Sequence, residues 1–277
     1  MNNNQSVLDQ STSSASVERA VGEIHERYQE LKKQLALDIV GMDDITELLM
    51  IGILCRGHCI LQGMPGLAKT LLISRLGALI SLSFRRIQFT PDLMPADITG
   101  GEVMDENKAT GAREFRFVKG PLFTNLVLAD EINRTPPKTQ SALLEAMEER
   151  QLSIAGKTYA LPEPFFVLAT QNPIEVEGTY TLPEAQLDRF LFKIKVKYPS
   201  REDEFEICRR QTTDYATAPE QVFDGARVIQ MQSTVRKVIV SQHVYAAAID
   251  LARWTRPEES RLPSDLQKMV KWGAGPR

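Results

Sequence analysis

The sequence predicts a doubly wound α/β fold, a parallel sheet with helices on both faces, followed by a small all-α region. Two observations carry that prediction. Between residues 59 and 199 short apolar runs alternate with helical stretches, and a glycine-punctuated loop stands where the first apolar run passes into a helix.

Residues 1–16 are rich in Asn, Gln and Ser and carry too little apolar surface to offset the entropy of ordering, so they are expected to be disordered. From residue 17 to 37, Val21, Ile24, Tyr28, Leu31 and Leu35 recur at helical spacing. Ile39, Val40 and Gly41 break that pattern, and Asp43 and Asp44 are placed to start a second helix that runs to about Cys55. Buried strands are expected at 59–62, 84–89, 126–128 and 165–169, with helices at 70–81 and 139–150 between them. Residues 100–120 and 152–160 alternate around turn signals and predict two inserted β-hairpins. From about Ser200 onward only helical segments follow, at 202–212, 222–231, 241–254 and from 264. The expected organisation is therefore a tail of 1–16, an α/β domain of 17–199 and a helical lid of 200–277.

Of the 277 residues 43% are hydrophobic and 25% charged, which suits a globular chain with a sizeable core. The 33 basic and 36 acidic residues give a net charge of -3 and are well mixed, which argues against a dedicated nucleic-acid binder. Three cysteines, Cys55, Cys59 and Cys208, make a poor disulfide or metal set and are expected to be buried, reduced thiols, as in a cytoplasmic protein. The N-terminus lacks the pattern of a signal peptide, and no apolar run is long enough to span a bilayer.

The stretch Gly63-Met64-Pro65-Gly66-Leu67-Ala68-Lys69-Thr70 follows a strand and opens a helix, the context of a Walker A loop. Gly63 and Gly66 let successive backbone N–H groups turn toward phosphate oxygens, and the helix N-terminus adds its positive end. Lys69 is then placed for the β- and γ-phosphates of ATP and the Thr70 hydroxyl for Mg²⁺, with Pro65, Leu67 and Leu71 part of the same cradle. Ala68 stands where Gly usually precedes the Lys, which a helix-like backbone there would accommodate. Alone, the stretch also reads as a Gly-Pro turn that happens to end in Lys-Thr.

A second motif adds to it. The apolar run 126–129 ends in Asp130 and Glu131, and a buried strand seldom ends in paired acids without a cation to justify them. Asp130 is expected to hold Mg²⁺, directly or through water, and Glu131 to orient and deprotonate the attacking water. Asn172, after the run 165–170, is expected to serve as a polar sensor of the same water or of the γ-phosphate.

These stretches, together with Ile132-Asn133-Arg134 and the run from Glu177 through Leu187-Asp188-Arg189-Phe190, resemble the MoxR family of AAA+ ATPases from about residue 17 to the last residue. The resemblance implies a P-loop AAA+ core with a sensor-1 role for Asn172, a trans-acting arginine finger at Arg189, a sensor-2 role for Arg277 and adenine packing by the segment of Ile39, Val40 and Gly41. It identifies the two hairpins with the helix-2 insert and the pre-sensor-1 hairpin. It also implies a homo-oligomer, generally a hexameric ring, and a protein client of the kind that carries a von Willebrand factor A domain. Members normally continue beyond the sensor-2 motif, so a truncated lid is expected. Arg134 reads either as an interface residue or as part of the cap of the next helix.

Three functions compete at this level. One is Mg-dependent ATP hydrolysis that drives chaperone-like remodelling, assembly or cofactor maturation of a protein partner. Another is a nucleotide-gated binding module with little turnover. The third is a nucleic-acid translocase, poorly supported because the hairpin at 152–160 offers only Lys157 as a basic residue.

Overall fold

The computed structural model describes residues 3–106, 113–172, 179–212, 220–259, 263–270 and 273–275. Nine strands are present among them: β1 (His58–Gln62), β2 (Phe84–Gln88), β3 (Gly100–Glu106), β4 (Arg113–Lys119), β5 (Leu126–Asp130), β6 (Gln151–Ile154), β7 (Lys157–Ala160), β8 (Phe166–Gln171) and β9 (Phe190–Lys195). Five of them form a sheet in the order β2-β5-β8-β1-β9, and every neighbouring pair is parallel. The helices are α1 (Asn3–Leu35), α2 (Asp43–Leu54), α3 (Lys69–Leu79), α4 (Pro95–Thr99), α5 (Pro137–Glu149), α6 (Glu184–Leu187), α7 (Arg201–Gln211), α8 (Gly225–Val235), α9 (Gln242–Trp254) and α10 (Ser264–Gln267).

The two-residue period of the central strands sends alternate side chains into two separate cores. Cys59, Leu61, Leu126, Leu128, Phe166 and Leu168 join one core with apolar residues of α1, α2, α3 and α8. Ile60, Val127, Ala129, Val167 and Ala169 join the other, with Leu143, Leu144 and Met147 of α5. Burial on both faces is why these strands read as continuous apolar runs, as expected of a parallel sheet between helical layers.

His58 clips the layers together. Its ring is 5% exposed; Nδ1 accepts the Val167 N–H at 3.0 Å, and Nε2 lies 3.1 Å from the Met147 carbonyl oxygen near the end of α5. With Nδ1 accepting, Nε2 carries the proton and donates. Desolvation pushes the ring's pKa down to about 4, and the Arg150 charge adds to that against the Met147 bond.

Both predicted hairpins are present, β3 with β4 and β6 with β7, each antiparallel. They pack on one another: Phe117 of β4 stacks on Tyr159 of β7 with ring centroids 4.2 Å apart, and Phe123 meets both edge-on.

Several boundaries differ from expectation. α1 begins at Asn3, inside the stretch assigned to a disordered tail, because each added residue of a formed helix closes one more backbone bond. β2 is an edge strand with Arg85, Arg86 and Gln88 exposed, not a buried one. β9 has no counterpart in the sequence reading. The chain divides into compact units between Arg236 and Lys237 instead of near Ser200, since α7 and α8 belong with the α/β unit and α8 packs on α1 and α2. The second unit holds α9 and α10. Of the three cysteines only Cys59 is buried; Cys55 and Cys208 are exposed. Among the described residues no helix is long and apolar enough to cross a membrane.

Candidate functional site

The site lies at the carboxyl ends of β1, β5 and β8, adjacent strands whose parallel register brings their tips to one edge. Gln62 stands opposite Gln171 and Ala129 opposite Ala169, so Gly63, Asp130 and Asn172 all leave the sheet at that edge. The Gly63 N–H donates to the Gln171 carbonyl at 3.3 Å and ties the start of the loop to β8.

Residues 63–68 form the loop and α3 starts at Lys69. Gly66 has φ 82°, a left-handed conformation that Gly adopts without penalty. Ala68 does not have the helix-like backbone expected of it: φ 49° and ψ 21° are left-handed, so its methyl group is held under strain. The Lys69 ammonium donates to the carbonyls of Gly63 at 2.8 Å and Met64 at 3.1 Å, which folds the side chain back over the loop. Burial pushes its pKa below the ordinary value, and the negative charges of Asp130 and Glu131 oppose that shift. Lys69 therefore sits in the field of both acids, in the arrangement a triphosphate with a counter-cation requires.

Thr170 of β8, 1% exposed, organises the acids. Its hydroxyl donates to Asp130 Oδ1 at 2.5 Å and accepts the Glu131 N–H at 2.8 Å. Glu131 has φ 57° and ψ 48°, a second non-glycine residue in the left-handed region, as strained functional positions often are. Its Oε2 accepts bonds from Gln88 Nε2 at 2.9 Å and from Arg134 Nη1 at 3.0 Å. Arg134, read either as an interface residue or as part of a helix cap, pairs here with Glu131. Asn172 is 9% exposed at the tip of β8. A hydroxyl and a carboxylate are hard oxygen donors, so the chemistry of Thr70 and Asp130 fits Mg²⁺.

Beside the loop opens a cleft of about 670 Å³, lined by Ile39, Val40 and Gly41, by Gly66, Leu67, Ala68 and Leu71, and by residues of α2, α7 and the segment after β9. Its size and mixed lining suit a nucleoside. Gly41 has φ 71°, and a Cβ there would stand 2.7 Å from the Asp203 carboxylate of α7. The sequence reading missed the far wall, Lys193 through Pro199 with Ile207 and Gln211. The alternation of Phe190, Phe192 and Ile194 with Leu191, Lys193 and Lys195 is a strand signal that would have found its base.

Arg189 stands apart from this edge. β9 pairs with β1 so that Phe190 faces His58, at the opposite end of β1 from Gly63. Five strand residues separate those ends, on the order of 13 Å at the usual rise. Arg189 pairs with Glu148 and donates to the Leu144 carbonyl at 3.0 Å. Arg277 and residues 173–178 lie outside the described residues. Lys157, the basic residue of the second hairpin, is 3.4 Å from Glu102.

Residues 58–192 match the family described as ATPase family associated with various cellular activities (AAA). The chain is 44% identical over 239 residues to the chaperone MoxR1 of Mycobacterium tuberculosis, covering 86% of this chain and 62% of that protein. It is 42% identical to the uncharacterised protein YeaC of Bacillus subtilis, covering 86% of this chain and 71% of that one. A crystal structure from Cytophaga hutchinsonii, assigned as an ATPase, superimposes with a TM-score of 0.83 at 40% identity, covering 95% of this chain and 78% of the other. The chain belongs to the MoxR family of AAA+ ATPases. It spans less than two thirds of the length of MoxR1. The parallel five-stranded sheet with two added hairpins is accordingly the AAA+ fold of this family.

Proposed function

We propose that the chain binds ATP with Mg²⁺ at the edge formed by β1, β5 and β8 and hydrolyses it to drive chaperone-like work on a protein partner. The observation that carries this reading is the convergence of Lys69, Asp130, Glu131 and Asn172 on one sheet edge beside a nucleoside-sized cleft. In it, Gly63 to Leu71 cradle the phosphates, Val40 and Gly41 pack on the base, and Lys69 holds the β- and γ-phosphates. Thr70 and Asp130 would hold Mg²⁺, which when bound would neutralise charge on the phosphate oxygens. Glu131 takes the proton of the attacking water and Asn172 fixes that water or the γ-phosphate.

Arg189 adjoins the end of β1 opposite its own loop, which suits a finger supplied to a neighbouring copy in a homo-oligomeric ring. An Arg supplied in trans can add on the order of 10³-fold or more to turnover. The family resemblance adds a sensor-2 role for Arg277. The chaperone description of MoxR1 supports a protein client; a client with a von Willebrand factor A domain and a cytoplasmic setting extend that proposal.

The test is steady-state ATP hydrolysis across a protein concentration series, with Glu131→Gln as control. Turnover per subunit that rises with concentration and is lost in the variant supports a shared site. Tight ATP binding with no turnover at any concentration would instead favour a nucleotide-gated module, a reading to which the double restraint of Glu131 by Gln88 and Arg134 lends some weight.

A further inference from the structure

The edge strand β2 brings two polar side chains to the acids. Gln88 stands opposite Asp130 in the register with β5, and Arg86, two residues earlier, points from the same face. The Arg86 guanidinium donates twice to one oxygen of Asp130, from Nε at 3.1 Å and from Nη2 at 2.6 Å, and Nη2 also donates to Gln88 Oε1 at 2.6 Å. The other Asp130 oxygen takes the Thr170 hydroxyl. Asp130 thus accepts three bonds within the protein, one on the oxygen facing Thr170 and two on the oxygen facing Arg86. The Asp130 side chain is 14% exposed and that of Arg86 48%, so the cation of the pair is the partner free to swing into solvent.

A carboxylate that coordinates a divalent cation, or a water of its shell, must aim a lone pair at it. A guanidinium on the same oxygen takes that lone pair and adds a charge of the same sign as the metal. We propose that Arg86 competes with the divalent cation for Asp130 and thereby sets the cation concentration at which the nucleotide site loads. This rests on the reading of Thr70 and Asp130 as the metal-holding pair. The sign separates competition from bracing. A competitor's removal tightens cation binding, whereas removal of a brace that merely held Asp130 in place would weaken it.

The experiment uses the full chain saturated with ADP and measures Mn²⁺ binding by electron paramagnetic resonance, for wild type, Arg86→Gln and Arg86→Lys. Arg86→Gln should bind Mn²⁺ about three-fold more tightly, the size expected of a half-exposed charge pair. Arg86→Lys keeps the charge but loses the fork, and should tighten binding by a smaller factor. ADP affinity in excess EDTA should be the same in all three, since Arg86 does not line the cleft. Equal or weaker Mn²⁺ binding in Arg86→Gln overturns the proposal; if that variant fails to fold, equal or weaker binding in Arg86→Lys does so. Wild-type chain that binds neither ADP nor Mn²⁺ would overturn the ATPase reading and this inference together, while normal wild-type binding with unchanged variants would overturn the role of Arg86 alone.

Discussion

Acidification from about pH 7.5 to about pH 5 should remove about 2 kcal/mol from the stability of the α/β unit through His58 alone. Its ring has an ordinary pKa of 6.5 and a folded value of about 4, lowered chiefly by desolvation. Between those values the unfolded chain binds a proton that the folded chain refuses, so stability falls as pH falls through that window and is fully present above it. At about pH 5 the unfolded ring is almost wholly protonated and the folded one mostly neutral. The difference is roughly one and a half pH units of linkage, at about 1.36 kcal/mol each. Protonation would also turn Nδ1, the acceptor for the Val167 N–H, into a second donor facing a donor. Urea unfolding followed by circular dichroism, in wild type and His58→Asn at both pH values, measures the term. The variant should start less stable by about 1–3 kcal/mol, because the Met147 carbonyl loses its partner, but its loss between the two pH values should shrink by about 2 kcal/mol. The same pH-dependent loss in both proteins would refute the assignment of the neutral tautomer.

Other perturbations probe the site directly. Ala68→Gly should raise stability by about 0.5 kcal/mol, the relief of a left-handed alanine less the added freedom of the unfolded chain; a loss above about 1 kcal/mol in denaturant melts would mean the left-handed backbone is wrong. Gly41→Ala combines a positive φ with a Cβ that meets Asp203, and should cost about 1–2 kcal/mol while weakening ADP binding; unchanged ADP affinity by fluorescence titration would count against that wall of the cleft. Thr170→Val keeps the shape but leaves the buried Glu131 N–H without its acceptor, at about 2 kcal/mol, and should depress ATP turnover, whereas Thr170→Ser should restore both.

Much of the core was legible because parallel strands buried on both faces print themselves as apolar runs, and because a phosphate loop has a fixed order of residues. Residues 59–62 and 126–128 needed no tertiary information. Where the reading failed, position within the sheet decided the outcome. Residues 84–88 look apolar enough for a central strand, yet Arg85, Arg86 and Gln88 are tolerated because β2 lies at the edge. β9 was lost in the opposite way: its alternating lysines hid a strand that is buried on one side and forms part of the cleft's rim on the other. The compact units part beyond α8 and not near Ser200 for a related reason, since helical periodicity shows where α8 is but not that it packs on α1 and α2. Lys69, Asp130, Glu131 and Asn172 could be named from their motifs. The residues that hold them, Arg86, Gln88 and Thr170, could not, because each acts across strands and carries no local pattern.

That cross-strand bracing shapes how the site must work. Lys69 is bonded to two loop carbonyls, Asp130 to Arg86 and Thr170, Glu131 to Gln88 and Arg134, and Arg189 to Glu148. Every one of these charges already has a partner of its own chain, so a ligand at the site gains only the difference between its contacts and those it displaces. The cost of exchange is uneven. Arg86 and Arg134 are half exposed and can release their acids into solvent, whereas Thr170 is buried and cannot. Substitution of one partner for another therefore favours movement on the arginine side of the acids, while Thr170 keeps Asp130 and Glu131 fixed to β8, the strand that also delivers Asn172.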